Sequence, residues 1–115
     1  MTAQPRGFRN GARLAALALL CLPAGLPADE LGELLLDDHG CYTCHAYEQR
    51  GIGPSLAAIA KRYADQPEMA GELARRTIAG TVGAWGDEPM RPHLGLPEDE
   101  ALLMVFFVLS LATDP

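Results

Sequence analysis

The sequence predicts an all-helical domain, and three observations carry that prediction. No stretch alternates apolar and polar residues at the period of two that a half-buried strand requires. Leu56, Ile59, Ala60 and Tyr63 recur at the i, i+3, i+4, i+7 spacing of an amphipathic helix. Acidic residues stand where helices should begin, as at Asp29 and at Glu98 to Glu100, and glycines stand where they should end, as at Gly40 and Gly80.

The first quarter of the 115 residues reads as a separate element. Arg6, Arg9 and Arg13, with no acid, precede an apolar run from Leu14 to Leu22 and a small, proline-broken stretch from Pro23 to Ala28. That is the three-part layout of a secretory signal peptide. The run falls short of the ~20 residues a membrane-spanning helix needs, and Pro23, Gly25 and Pro27 would break any continuation. Cleavage is expected after Ala28, with Ala24 as the other candidate, leaving residues 29–115 as the single working domain. A lipid anchor on Cys21 is disfavoured, because Leu20 stands where such a signal wants a small residue.

Within the domain, Asp29 to Asp38 reads as a helix with acids in its first turn and Leu31, Leu34 and Leu35 on one face, ended near Gly40. Tyr47 to Pro54 is a loop marked by Gly51, Gly53 and Pro54. The Leu56 to Tyr63 helix follows. Asp65 and Glu68, around Pro67, suggest a capped start for a third helix that carries Leu73 and stops near Gly80. Gly80 to Pro97 is too rich in Gly and Pro for regular structure, yet it holds the chain's one Trp, and a long irregular loop in a small domain is usually functional. The last helix starts at Pro97 with three acids and runs to Ala112 almost without a polar residue; it is too short to span a bilayer and should pack, buried, on the first helix.

Loss of residues 1–28 removes three basic residues and no acid, so the domain keeps six basic against fifteen acidic residues. Such a charge excludes nucleic acid and anionic membrane surfaces as natural partners. With three Phe or Trp residues in 87, the domain has a thin core for its size, in the range where small domains lean on a cofactor, metal or disulfide.

Only Cys41 and Cys44 remain as cysteines, and they stand in Cys41-Tyr42-Thr43-Cys44-His45. C-x-x-C-H is the attachment signature of haem c. Two cysteines three apart on a helical turn face one side, where each sulfur can bond a haem vinyl group while His45 reaches the iron. Three other readings of the pair are weaker. A thioredoxin-like dithiol wants a strand-helix-strand pattern and a zinc site a second Cys/His pair, neither of which is present. A disulfide across two residues would close a trivial loop. Candidates for a sixth iron ligand are Met69, Met90, Met104, His39 and His93. Met104 reads as core, Met69 as a helix-start residue and His39 as a solvated helix-end residue. Met90 stands in the rigid Gly/Pro-rich loop, where an irregular backbone can aim a thioether at a fixed point.

From about Glu30 to Ser110 the chain resembles the small bacterial class I cytochromes c, the short monohaem type that donates electrons to nitrite reductase and terminal oxidases. The residues that carry the resemblance are Gly40 with the haem motif, Gly53-Pro54, Glu72-Leu73-Ala74 with Arg76, Gly83-x-Trp85-Gly86-x-x-Pro89-Met90, and Asp99-Glu100-Ala101. Two departures are one extra residue between Met90 and the last helix, and His93 where similar proteins often carry Asn. The resemblance implies the class I cytochrome c fold, four to five short helices wrapped around one covalent haem, with iron held by His45 and Met90. It further implies that the Pro54 carbonyl fixes the His45 ring, and that Arg76 and the Trp85 indole bind a haem propionate. The expected function is that of a monomeric, periplasmic one-electron carrier, not an enzyme, serving redox proteins with basic docking faces and not inserting in the membrane. The alternatives are a haem sensor or peroxidase-like protein with a labile Met ligand, or a dedicated subunit of a larger oxidoreductase.

Overall fold

The computed structural model describes residues 2–3 and 25–112, so the expected signal segment lies almost wholly outside the described residues. Four helices follow in order: α1 (Ala28–Asp38), α2 (Leu56–Arg62), α3 (Ala70–Ala79) and α4 (Glu98–Ser110). Among the described residues there is no β-sheet, only an isolated antiparallel bridge between Thr81 and Met90. The fold is all-α, as the sequence predicts. None of the described helices is long and apolar enough to cross a membrane.

Helix α4 is the central element, packed on α1, α2 and α3. Its first turn holds Glu98, Asp99 and Glu100, whose charges suit the positive end of a helix. Ala101, Met104, Val105, Phe107 and Val108 are buried, so the expectation of a buried helix against α1 holds, although Phe106 stays 52 % exposed. Much of the packing uses small residues: Ala60, Ala74 and Ala101 are each 0 % exposed. Small side chains let helix backbones come close, and Gly32 of α1 is the extreme case. A Cβ placed there would lie 2.5 Å from the Leu103 carbonyl oxygen and 2.7 Å from the Phe107 Cβ.

Two local expectations are corrected. Leu34 does not share the inward face of α1: it is 54 % exposed, while Gly32 and Leu36 are buried. Leu36 lies four residues after Gly32 on one helical stripe. The start of α3 is not capped by Asp65 or Glu68. Pro67 opens a 3₁₀ turn, Pro67–Met69, that leads into α3 with no side-chain cap at either start. A proline donates no N–H and sets φ for a tight turn, which supplies the entry without a cap. The predicted cap appears instead on α2, where Ser55 Oγ accepts from the Ala58 N–H at 3.0 Å.

His39 is not the solvated residue expected. Its Nε2 donates to Glu100 Oε2 at 2.8 Å, joining the C-terminal end of α1 to the first turn of α4. Gly40 follows with φ +71°, a left-handed conformation that turns the chain out of α1.

The approach at Gly32 makes a prediction. Gly32→Ala should destabilise the holoprotein by about 1–3 kcal/mol, because the obstruction is partly backbone and cannot move aside. Denaturant unfolding measures it; a loss under ~0.5 kcal/mol would show that the two helices can separate at little cost.

Candidate functional site

The residues after Gly40 form a 3₁₀ turn, Cys41–Thr43, in which the Cys44 and His45 amides both donate to the Cys41 carbonyl, at 3.2 and 3.0 Å. This tight winding puts Cys41, Cys44 and His45 on one wall of a cavity of about 750 Å³, a size typical of ligand sites. Both cysteines are half-buried free thiols. Burial raises the Cys41 thiol above its ordinary pKa, and Cys44 beside it acts in the same direction.

The ring of His45 is held from two sides. Its Nδ1 lies 2.8 Å from the Pro54 carbonyl oxygen. A carbonyl only accepts, so Nδ1 carries the proton and Nε2 keeps its lone pair free for a metal. Gly53 closes the other side: a Cβ there would sit 2.6 Å from His45 Cε1 and 3.0 Å from Nδ1. The loop itself is tied back, the Gly53 N–H donating to the Cys44 carbonyl at 2.9 Å.

Met90 lines the same cavity and is fixed through its backbone. Thr81 and Met90 exchange two hydrogen bonds, of 3.1 and 2.8 Å. Gly80, with φ +80°, allows this approach, since a Cβ there would come within 2.9 Å of the Met90 carbonyl oxygen. The other expected ligand candidates divide. Met104 is 2 % exposed and belongs to the core while lining the cavity; Met69 sits in the 3₁₀ turn before α3. His93 also lines the cavity, its Nδ1 donating to the Thr77 carbonyl at 3.1 Å and its amide to Ile78 at 2.8 Å.

Arg76 and Trp85 are both at the cavity. Arg76 Nε donates to Glu72 Oε1 at 3.1 Å, and Arg75 holds the other oxygen at 2.9 Å. Arg75 first, then Arg76, keep the exposed Glu72 carboxyl below its usual range. Trp85 lies beneath the guanidinium of Arg62, which the sequence reading did not single out. Neither Arg62 nor Arg50, which reaches the Trp85 carbonyl, carries a motif signal, because each acts on a partner at least 22 positions away.

Most of the remaining lining is apolar, and it includes half of the buried apolar side chains among the described residues: Leu36, Leu56, Tyr63, Met104, Val105 and Val108. The core is thus a shell around a cavity, which fits a domain completed by a large apolar cofactor. Two thiols, an imidazole with a free lone pair and a thioether are a donor set suited to attaching a haem and ligating its iron. The residues fit haem c.

The contact at Gly53 can be tested directly. Gly53→Ala must push the His45 ring or open the loop, and a loss of about 1–3 kcal/mol in unfolding free energy is expected. Unchanged stability together with an unmoved ring in the variant's structure would show the contact to be soft.

Comparisons with known proteins identify the family. The cytochrome c family model matches residues 30–112. The chain is 38 % identical over 81 residues to cytochrome c-551 of Azotobacter vinelandii, covering 70 % of this chain and 98 % of that one. It is 37 % identical over 78 residues to cytochrome c-551 of Pseudomonas aeruginosa, covering 68 % and 74 %. The crystal structure of wild-type cytochrome c552 from Nitrosomonas europaea superposes with a TM-score of 0.66 at 33 % identity, covering 69 % of this chain and 98 % of that one. With the haem motif, the shell-like core and these likenesses together, the chain belongs to the cytochrome c family, as a small bacterial class I cytochrome c that carries one covalent haem c and works as an electron carrier.

Proposed function

We propose that residues 1–28 direct export and are removed, and that residues 29–115 work in the periplasm as a monomeric one-electron carrier between redox proteins. Cys41 and Cys44 would attach the haem, His45 Nε2 and the Met90 sulfur would ligate its iron, and Arg76 and the Trp85 indole N–H would bind a propionate. The observation that carries this reading is the His45 ring, locked at Nδ1 by Pro54 with Nε2 left free, on a cavity that Met90 also lines.

When bound, the haem supplies a reversible one-electron couple at iron. The chain's residues set its character. The imidazole donates through one defined nitrogen because the other is committed to a carbonyl. The soft thioether of Met90 favours the ferrous state, and the apolar wall of Leu56, Met104, Val105 and Val108 disfavours extra positive charge, so both raise the potential. With His45 and Met90 both holding the iron, no site would remain for a substrate, and exchange would be outer-sphere. Acids concentrate on two helices that pack together: α1 carries five and no base, and α4 begins with three. This supports partners with basic docking faces.

The test is an optical and redox titration of purified mature protein beside Met90→Ala. Wild-type ferrous protein should not respond to carbon monoxide, whereas the variant should bind it. The variant's potential should fall by roughly 60 mV for each tenfold loss of preference for the ferrous state. Carbon monoxide binding by the wild type would instead mark a labile ligand and a sensor or peroxidase-like role.

The shell-like core leads to a further expectation. Cys41→Ala combined with Cys44→Ala should give a chain without covalent haem and without a cooperative melt at ambient temperature, because the apolar wall is left lining a void. A sharp, haem-free thermal transition, followed by circular dichroism, would count against that dependence.

A further inference from the structure

The loop between Thr81 and Met90 is tied at its base by their two reciprocal hydrogen bonds, and among the described residues no backbone–backbone hydrogen bond involves residues 82–89. Its apex is bracketed by Gly83, φ +87°, and Gly86, φ +113°, conformations that cost other residues strain. Little in the loop's backbone therefore holds Ala84 and Trp85 in place. Two arginines do. Arg62, in the last turn of α2, lays its guanidinium 3.4 Å from the centroid of the Trp85 ring and donates through Nη1 to the Ala84 carbonyl. Arg50, from the loop after the haem motif, donates through Nη2 to the Trp85 carbonyl at 3.1 Å. Both arginines are exposed, so each contact is modest in energy; the specificity comes from the planar fork, which can stack on a ring and reach a carbonyl at once.

We infer that Arg62, assisted by Arg50, is a positioning residue that clamps the Trp85 apex of the 81–90 loop to α2 and holds the indole at the cavity wall. This rests on the reading above that the indole N–H serves a haem carboxylate. A cation over the ring face draws electron density from the indole and makes its N–H a stronger donor, so the clamp both aims the group and strengthens its bond. It also ties the loop carrying Met90 to the segments flanking the His45 side, across an otherwise unbonded apex.

The experiment uses mature holoprotein with Arg62→Gln, Arg62→Lys and Arg50→Gln. The chain's one Trp makes ultraviolet resonance Raman of the indole N–H a single-site probe, and hydrogen–deuterium exchange follows the loop. In Arg62→Gln, exchange of the Thr81 and Met90 amides that close the loop's base should quicken roughly threefold to tenfold, while α1 and α4 stay as in wild type, and the indole signal should move toward a weaker hydrogen bond. Arg50→Gln should quicken loop exchange with the indole signal less affected. Arg62→Lys keeps a cation near the ring but not the planar bridge, so it should recover the indole signal and not the loop protection. If Arg62→Gln leaves both readouts at wild type, or Arg62→Lys restores both, the clamp is wrong. If the wild-type indole N–H has no partner while Arg62→Gln still loosens the loop, the clamp stands and the propionate role of Trp85 fails.

Discussion

The architecture depends on how closely α1 and α4 approach at Gly32. A hydrogen is all that fits between the α1 backbone and the Leu103 carbonyl, so the two helices meet backbone to backbone. The approach fixes the C-terminal end of α1 relative to α4, and the His39–Glu100 hydrogen bond closes the same junction near the haem motif. Gly40 and the Cys41–Thr43 turn begin where α1 stops, so the positions of both thiols and of His45 are inherited from a contact made more than a turn earlier. Neither the motif nor its spacing could set that position alone.

The domain divides its apolar residues by size. Alanines fill the tightest buried positions, while Leu36, Leu56, Tyr63, Met104, Val105 and Val108 face the cavity. A polypeptide of this length has little apolar volume to spare, and placing its larger side chains around a void makes sense only if the void is filled. The wall of the cavity therefore supplies much of the core's packing surface.

Much of this was legible in the sequence, for a physical reason. Helical periodicity reports which residues share a face, and it gave α2 through Leu56, Ile59, Ala60 and Tyr63; the acids at Glu98 to Glu100 gave the start of α4. C-x-x-C-H is a local mechanical device, so its residues could be read without knowing the fold. What periodicity cannot report is which backbones come close or which distant side chains meet. Nothing in the pattern singled out Gly32. His39 gave no sign of Glu100, 61 positions away, nor Arg62 of Trp85. Leu34 was misplaced because leucines run consecutively from Leu34 to Leu36, and such a run lets the pattern choose the wrong face.

The backbone around Met90 is anchored on both sides. Thr81 pairs with Met90 itself, Gly80 packs against Pro92, and the His93 amide is bonded to Ile78. The turn from His93 to Leu96, closed by a 2.9 Å hydrogen bond, is different: Leu94 is 81 % exposed, and nothing lies near Gly95. A change in chain length after Met90 can thus be taken up as a wider surface bend without altering the register of the sulfur. Insertions and deletions within this bend are structurally cheap, whereas a residue added between Gly80 and Thr81 would disturb the bridge that anchors the Met90 backbone.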